Sequence, residues 1–183
     1  NLSVHDRFNV LRDVARALAY AHGEGVIHRD IKPDNILLSA GTAVVTDFGI
    51  AKAISASRTL DGTAPRDDNG TLTQVGSSIG TPAYMAPEQA VGESVDARAD
   101  LYAWGVVAYE LLSGAHPFAG KTGTSQLIAA HLTETPRGLA ELAPNVPREV
   151  SALVMQCLAK NPAQRPADAN ALLSGLSSIT TPS

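Results

Sequence analysis

The chain has 183 residues, 44% of them hydrophobic and 17% charged, with a formal net charge of −4. That length suits one domain able to hide about 70% of its unfolded surface, and the acidic balance gives nucleic-acid binding through phosphate neutralisation no compositional support. The single Cys157 excludes an intramolecular disulfide; set among Val154, Met155 and Leu158, it reads as an inert core thiol of a reducing compartment.

Over residues 6–21, Leu11, Val14, Ala15, Leu18 and Ala21 recur at three- and four-residue spacing, and Gly23 and Gly25 follow as stop signals. The spacing predicts an amphipathic helix. Val26 and Ile27 lead into the polar run His28-Arg29-Asp30-Ile31-Lys32-Pro33-Asp34-Asn35. Two short apolar runs follow, Ile36-Leu37-Leu38 and Ala43-Val44-Val45, separated by Ser39-Ala40-Gly41, which reads as a tight hairpin. That hairpin brings Asn35, before its first strand, close to Asp47, after its second. Residues 55–78 are rich in Ser, Thr, Gly and Asp with little periodicity, as expected of a mobile functional loop.

Four further helices are expected at 97–112, 124–132, 147–158 and 167–176, with Pro162 and Pro166 separating the last two. The longest apolar run, 101–112, contains Gly105 and Glu110 and is too short to span a bilayer. No signal-peptide pattern and no internal repeat occurs. Residues 177–183 are Ser/Thr-rich, the composition of a frayed tail or a linker.

The polar run carries the chemistry. A carboxylate such as Asp30, placed beside a hydroxyl, accepts its hydrogen bond and aims an oxygen lone pair at an electrophile. Lys32 adds a compact positive charge next to it. The amide oxygen of Asn35 and the carboxylate of Asp47 are hard ligands of the kind that suits Mg²⁺. Taken singly, each of these residues is better read as a loop or turn cap. Taken together, seven specified residues at these offsets recur by chance with odds on the order of one in ten million.

The run, with Asp47-Phe48-Gly49 and the segment Gly80-Thr81-Pro82-Ala83-Tyr84-Met85-Ala86-Pro87-Glu88, resembles the catalytic core of a protein kinase. The resemblance covers nearly the whole chain, and the second segment separates protein kinases from small-molecule kinases of related fold. It implies that Asp30 orients the substrate hydroxyl, that Lys32 meets the γ-phosphate of ATP, and that Asn35 and Asp47 hold Mg²⁺. It likens Leu37 to the apolar floor beneath the adenine ring, and His28 and Phe48 to the packing pair that joins catalytic and metal loops. Thr81 would bond Asp30 and Lys32 when a peptide docks; Lys32 and Thr81 together fit the serine/threonine branch. Glu88 needs a cation if buried, and Arg165 is the matching candidate. Asp100 resembles the acid that accepts hydrogen bonds from the catalytic-loop backbone. Arg29 suggests control by phosphorylation of the activation loop. Leu72-Thr73-Gln74 is similar to the loop of bacterial serine/threonine kinases, which favours Thr73 as the site, then Thr71.

No G-x-G-x-x-G and no strand lysine precedes the catalytic loop. The chain therefore resembles the large C-terminal lobe alone, residues 1–176: mainly α with a small β-hairpin, within a kinase fold that is α+β overall. The expected activity is ATP-dependent phosphorylation of Ser or Thr in protein substrates, with self-association for trans-autophosphorylation. The chain by itself is expected to be inactive. The alternative is a catalytically silent lobe that binds proteins. A cytoplasmic location is expected, free or as the cytoplasmic domain of a membrane-anchored kinase. Residues 60–69 read as an insertion. His5, His22, His116 and His131 show no metal-like spacing and are expected at the surface or in caps.

Overall fold

Ser3 sets the start of the first helix. Its hydroxyl accepts the Asp6 N–H at 3.1 Å while the Asp6 carboxylate accepts the Ser3 N–H at 3.1 Å. Two donors that a helix start leaves unpaired are thus satisfied reciprocally. The same Ser3 contacts hold the Asp6 carboxyl below its usual range. Helix α1 runs over Val4–Gly23 and buries Phe8, Leu11, Val14, Ala15, Leu18 and Ala21. It exceeds the expected 6–21 because the cap lies further upstream than the first apolar repeat. This computed structural model describes residues 2–48, 82–121 and 123–177. Gly49, Thr71, Thr73, Thr81, the 60–69 stretch and the tail beyond 177 lie outside the described residues.

Strands β1 (Ile36–Ser39) and β2 (Thr42–Val45) pair antiparallel with Ile36 opposite Val45 and Ser39 opposite Thr42. Ala40 and Gly41, with φ of 48° and 84°, make the two-residue turn. Positive φ at both turn positions matches the right-handed twist of the strands, and only one of the two residues is a glycine. Ala43 and Val45 face the core, and the Ala43 N–H donates to Asp13 of α1 at 3.1 Å. Leu37, Leu38 and Val44 stay 55%, 54% and 46% exposed.

After a 3₁₀ turn at Pro82–Tyr84 come α2 (Pro87–Ala90), α3 (Arg98–Ser113), α4 (Thr124–Thr133), α5 (Leu139–Leu142), α6 (Arg148–Cys157) and α7 (Ala169–Ser177). The one-turn helices α2 and α5 carry too few residues to show a period in the sequence. Helix α3 is the axis of the core. Leu101, Tyr102, Trp104, Val106, Ala108 and Tyr109 are buried all round it, as expected of a helix packed on every side. The Trp104 indole N–H donates to the Leu11 carbonyl of α1 at 3.0 Å. Gly105 is required where α6 crosses: a Cβ there would lie 2.8 Å from Cys157 Cβ. Cys157 is fully buried, and burial pushes its thiol up to about 12, so it stays protonated. Among the described residues no helix is long and apolar enough to cross a membrane.

Candidate active site

The loop between α1 and β1 is built around one buried carboxylate. Asp100, in the first turn of α3, accepts the His28 N–H at 2.8 Å and the Arg29 N–H at 2.7 Å. His22, at the end of α1, places Nε2 2.8 Å from the same carboxylate. Arg29 has φ 66°, a left-handed conformation that costs a non-glycine residue about 1–3 kcal/mol. Its N–H is held by Asp100 and its carbonyl accepts from the Gln89 amide of α2 at 3.1 Å. Helices α2 and α3 therefore impose the loop conformation that sets Asp30 in place.

His28 lies at 0% exposure beneath this loop. Its Nδ1 accepts the Asp30 N–H at 3.2 Å, and its Nε2–H donates to the Thr46 carbonyl at 2.9 Å. Phe48 tilts against the ring with centroids 4.7 Å apart. His28 thus ties the loop carrying Asp30 to the segment carrying Asp47, whose own φ is 56°. The end of the hairpin makes a second tie, because Thr46 N–H donates to the Asn35 carbonyl at 2.9 Å.

The polar groups then converge. Lys32 Nζ lies 3.0 Å from Asp30 Oδ2, with both side chains mostly buried. The Asn35 amide nitrogen donates to the Asp30 carbonyl at 2.8 Å. That bond engages the NH₂ end of the buried Asn35 and leaves the amide oxygen as the end suited to a cation. Asp47, exposed one residue beyond the hairpin tie, adds a carboxylate. Amide oxygen plus carboxylate fits Mg²⁺, which takes few protein ligands and completes its shell with water and phosphate. Among the described residues no cluster of three or more His, Cys, Asp or Glu could hold a metal by itself.

Further along, Glu88 and Arg165 meet at 2.6 and 2.8 Å, both almost fully buried. Tyr84 donates to Glu110 of α3 at 2.7 Å, and burial followed by this carboxylate pushes its phenol above the usual range. Leu37 projects from the exposed hairpin.

The protein kinase domain family matches residues 1–175. The chain belongs to the protein kinase family. It is 42% identical over 157 residues to the serine/threonine-protein kinase PknB of Mycobacterium tuberculosis, covering 85% of this chain and 23% of PknB. It is 42% identical over 165 residues to PknA of the same organism, covering 90% of this chain and 34% of PknA. The chain thus spans about a quarter to a third of the length of these curated relatives. A crystal structure of a mutant PknI kinase domain from Mycobacterium tuberculosis superposes with a TM-score of 0.66 at 26% identity, covering 97% of this chain and 55% of that one. Within the family the chain falls with the bacterial-type serine/threonine kinases, and its helices and small hairpin fit the kinase fold.

Three histidines depart from their expected surface or cap positions. The His22 side chain is nearly buried on Asp100, His131 is fully buried, and His116 bonds to the Ala83 carbonyl. Their partners lie 78, 48 and 33 residues away in sequence, so no local spacing could reveal them. His5 alone is exposed, in the first turn of α1.

Proposed function

We propose that this chain is the large catalytic lobe, residues 1–176, of a kinase that transfers the γ-phosphoryl group of ATP to Ser or Thr hydroxyls of protein substrates. The reading rests above all on Asp30, Lys32 and Asn35, held together on a loop whose strained backbone is fixed by Asp100 and Gln89. Membership of the kinase family and the exposed apolar hairpin support it.

Asp30 accepts the hydrogen bond of the substrate hydroxyl and turns its lone pair toward phosphorus. Lys32, beside it, offsets negative charge on the phosphoryl oxygens. Asn35, through its amide oxygen, and Asp47, through its carboxylate, would hold the cation. Mg·ATP, when bound, supplies the phosphoryl group and the charge that neutralises it. Leu37, with its neighbours on the hairpin, offers the adenine ring an apolar face. Thr81 closes the site by bonding Asp30 and Lys32 around the peptide. Arg29 clamps a phosphate on Thr73, acquired by self-association and trans-autophosphorylation. The family's protein substrates meet this site in the cytoplasm.

A silent binding lobe would have no need of an ordered Asp30, Lys32 and Asn35, which favours the enzyme. The test is phosphate transfer from labelled ATP to a Ser/Thr peptide by the two-lobed kinase. Asp30→Asn should cut turnover at least about 10²-fold with nucleotide affinity unchanged. Turnover near that of the parent overturns the assignment.

A further inference from the structure

Two imidazoles from separate elements end on one carbonyl oxygen. His116, in the loop after α3, lies with Nε2 2.7 Å from the Ala83 oxygen. His131, near the end of α4, lies with Nε2 2.9 Å from the same atom. The opposite nitrogen of each ring is also engaged. The Phe118 N–H donates to His116 Nδ1 at 3.1 Å, and the Tyr102 hydroxyl lies 2.9 Å from His131 Nδ1. For His116 only the neutral ring with its proton on Nε2 satisfies both contacts, since the Phe118 N–H can only donate to Nδ1; the Tyr102 hydroxyl can donate or accept, so His131 is held only to a proton on Nε2. Both lone pairs of the Ala83 oxygen are then used.

The carbonyl belongs to the 3₁₀ turn Pro82–Tyr84, which directly follows Thr81. Tyr84 anchors that turn to α3 through Glu110, and Gln89, further along, anchors α2 to the Arg29 carbonyl of the catalytic loop. The imidazoles complete the set from the α4 side. The turn is thereby fixed relative to the loop that carries Asp30.

Protonating His116 removes the acceptor that the Phe118 N–H requires. Protonating His131 adds charge near Lys160, whose ammonium sits 4.7 Å from the Phe118 ring centroid and 5.7 Å from that of Tyr102. The carboxylates of the neighbouring elements are engaged elsewhere: Glu88 with Arg165, Glu110 with Tyr84, Glu134 with Lys121. Arg165 itself lies over the Tyr102 ring at 4.9 Å. Phe118 packs edge-on against His131 at 4.8 Å and closes the pair from one side. The surroundings thus favour a neutral His131 ring.

We propose that His116 and His131 are positioning residues for the protein substrate: a clamp of two imidazole N–H donors on the Ala83 carbonyl that holds the turn Pro82–Tyr84 in its docking position. The proposal rests on the kinase reading above. It assigns the pair to peptide binding, not to the phosphoryl step, so loss of the clamp raises peptide KM.

The experiment measures peptide and ATP kinetics in the two-lobed kinase. His116→Phe keeps the ring volume and removes the donor; peptide KM should rise about three- to tenfold, the value of one net hydrogen bond, with kcat and ATP KM little changed. His116→Gln, which can return an N–H to the carbonyl, should restore KM. An unchanged KM in His116→Phe overturns the proposal, as does a His116→Gln variant as impaired as His116→Phe. A parent that phosphorylates no peptide overturns the kinase reading, and the positioning role with it. Imidazole ¹⁵N shifts on the unmutated protein test the clamp without relying on any variant. Both rings should carry a proton on Nε2 at neutral pH, and a ring bare at Nε2 overturns it.

Discussion

Arg165 spends every N–H of its guanidinium on a partner, and Glu88 takes two of them. Nη1 and Nη2 reach the two carboxylate oxygens at 2.6 and 2.8 Å; Nη1 also donates to the Arg98 carbonyl, Nη2 to that of Lys160, and Nε to that of Ala159. A buried pair with this geometry ties the segment after Pro87 to the chain beyond α6. Removing either member leaves the other charge buried without its counter-ion, which costs about 3–5 kcal/mol.

A double-mutant cycle with Glu88→Gln and Arg165→Met, read by urea denaturation, should therefore return a large coupling energy. Each single change should be nearly as costly as both together. Coupling near zero would mean that the carbonyl contacts of Arg165, not Glu88, hold this junction.

Why some of this was legible in sequence and some not follows from range. The stripe Leu11, Val14, Leu18 and the turn Ala40-Gly41 declare themselves within a few residues, so α1 and the hairpin were readable to within two residues at most ends. Glu88 and Arg165 could be joined across 77 residues because a buried carboxylate demands a cation and each sits in a recognisable segment. His22, His116 and His131 offered no such handle. Their partners are a distant carboxylate, a backbone carbonyl and a phenol, and a lone histidine has no spacing to betray them. The one-turn helices α2 and α5 stayed hidden because four residues cannot display a period of 3.6.

Asp47→Ala should abolish Mg²⁺-dependent nucleotide binding by the two-lobed kinase, because it deletes the charged member of a two-residue oxygen set. Calorimetry with and without Mg²⁺ makes the comparison. Equal Mg·ATP affinity in parent and variant would remove Asp47 from the metal site.

Gly105→Ala tests the crossing of α3 over α6. In an exposed helix this change gains up to about 1 kcal/mol from propensity alone. Here the new methyl would stand 2.8 Å from Cys157 Cβ, so the helices must separate. Overpacking of this kind costs about 1–3 kcal/mol, which outweighs the propensity gain. A lower urea midpoint is expected, and a raised one would show that α6 yields freely.

His131 makes stability depend on pH in a direction that can be worked out. Burial chiefly, then neighbouring His116, lowers its pKa from 6.5 to about 4, with Lys160 adding to the fall and the Ala83 carbonyl opposing it. Between those values the unfolded chain binds a proton that the folded chain does not. The contribution is therefore fully present above pH 6.5 and is lost as pH falls toward 4, amounting to at most about 3 kcal/mol. Acidic side chains contribute their own slope over the same range, so the parent curve alone decides nothing. The informative quantity is the difference between the parent and His131→Gln, which keeps an amide donor near Ala83 but does not titrate. Urea midpoints from pH 7 to 4 should fall more steeply in the parent than in the variant. Parallel curves would mean that His131 takes up its proton in the folded state, and that burial beside His116 and Lys160 does not hold the ring neutral.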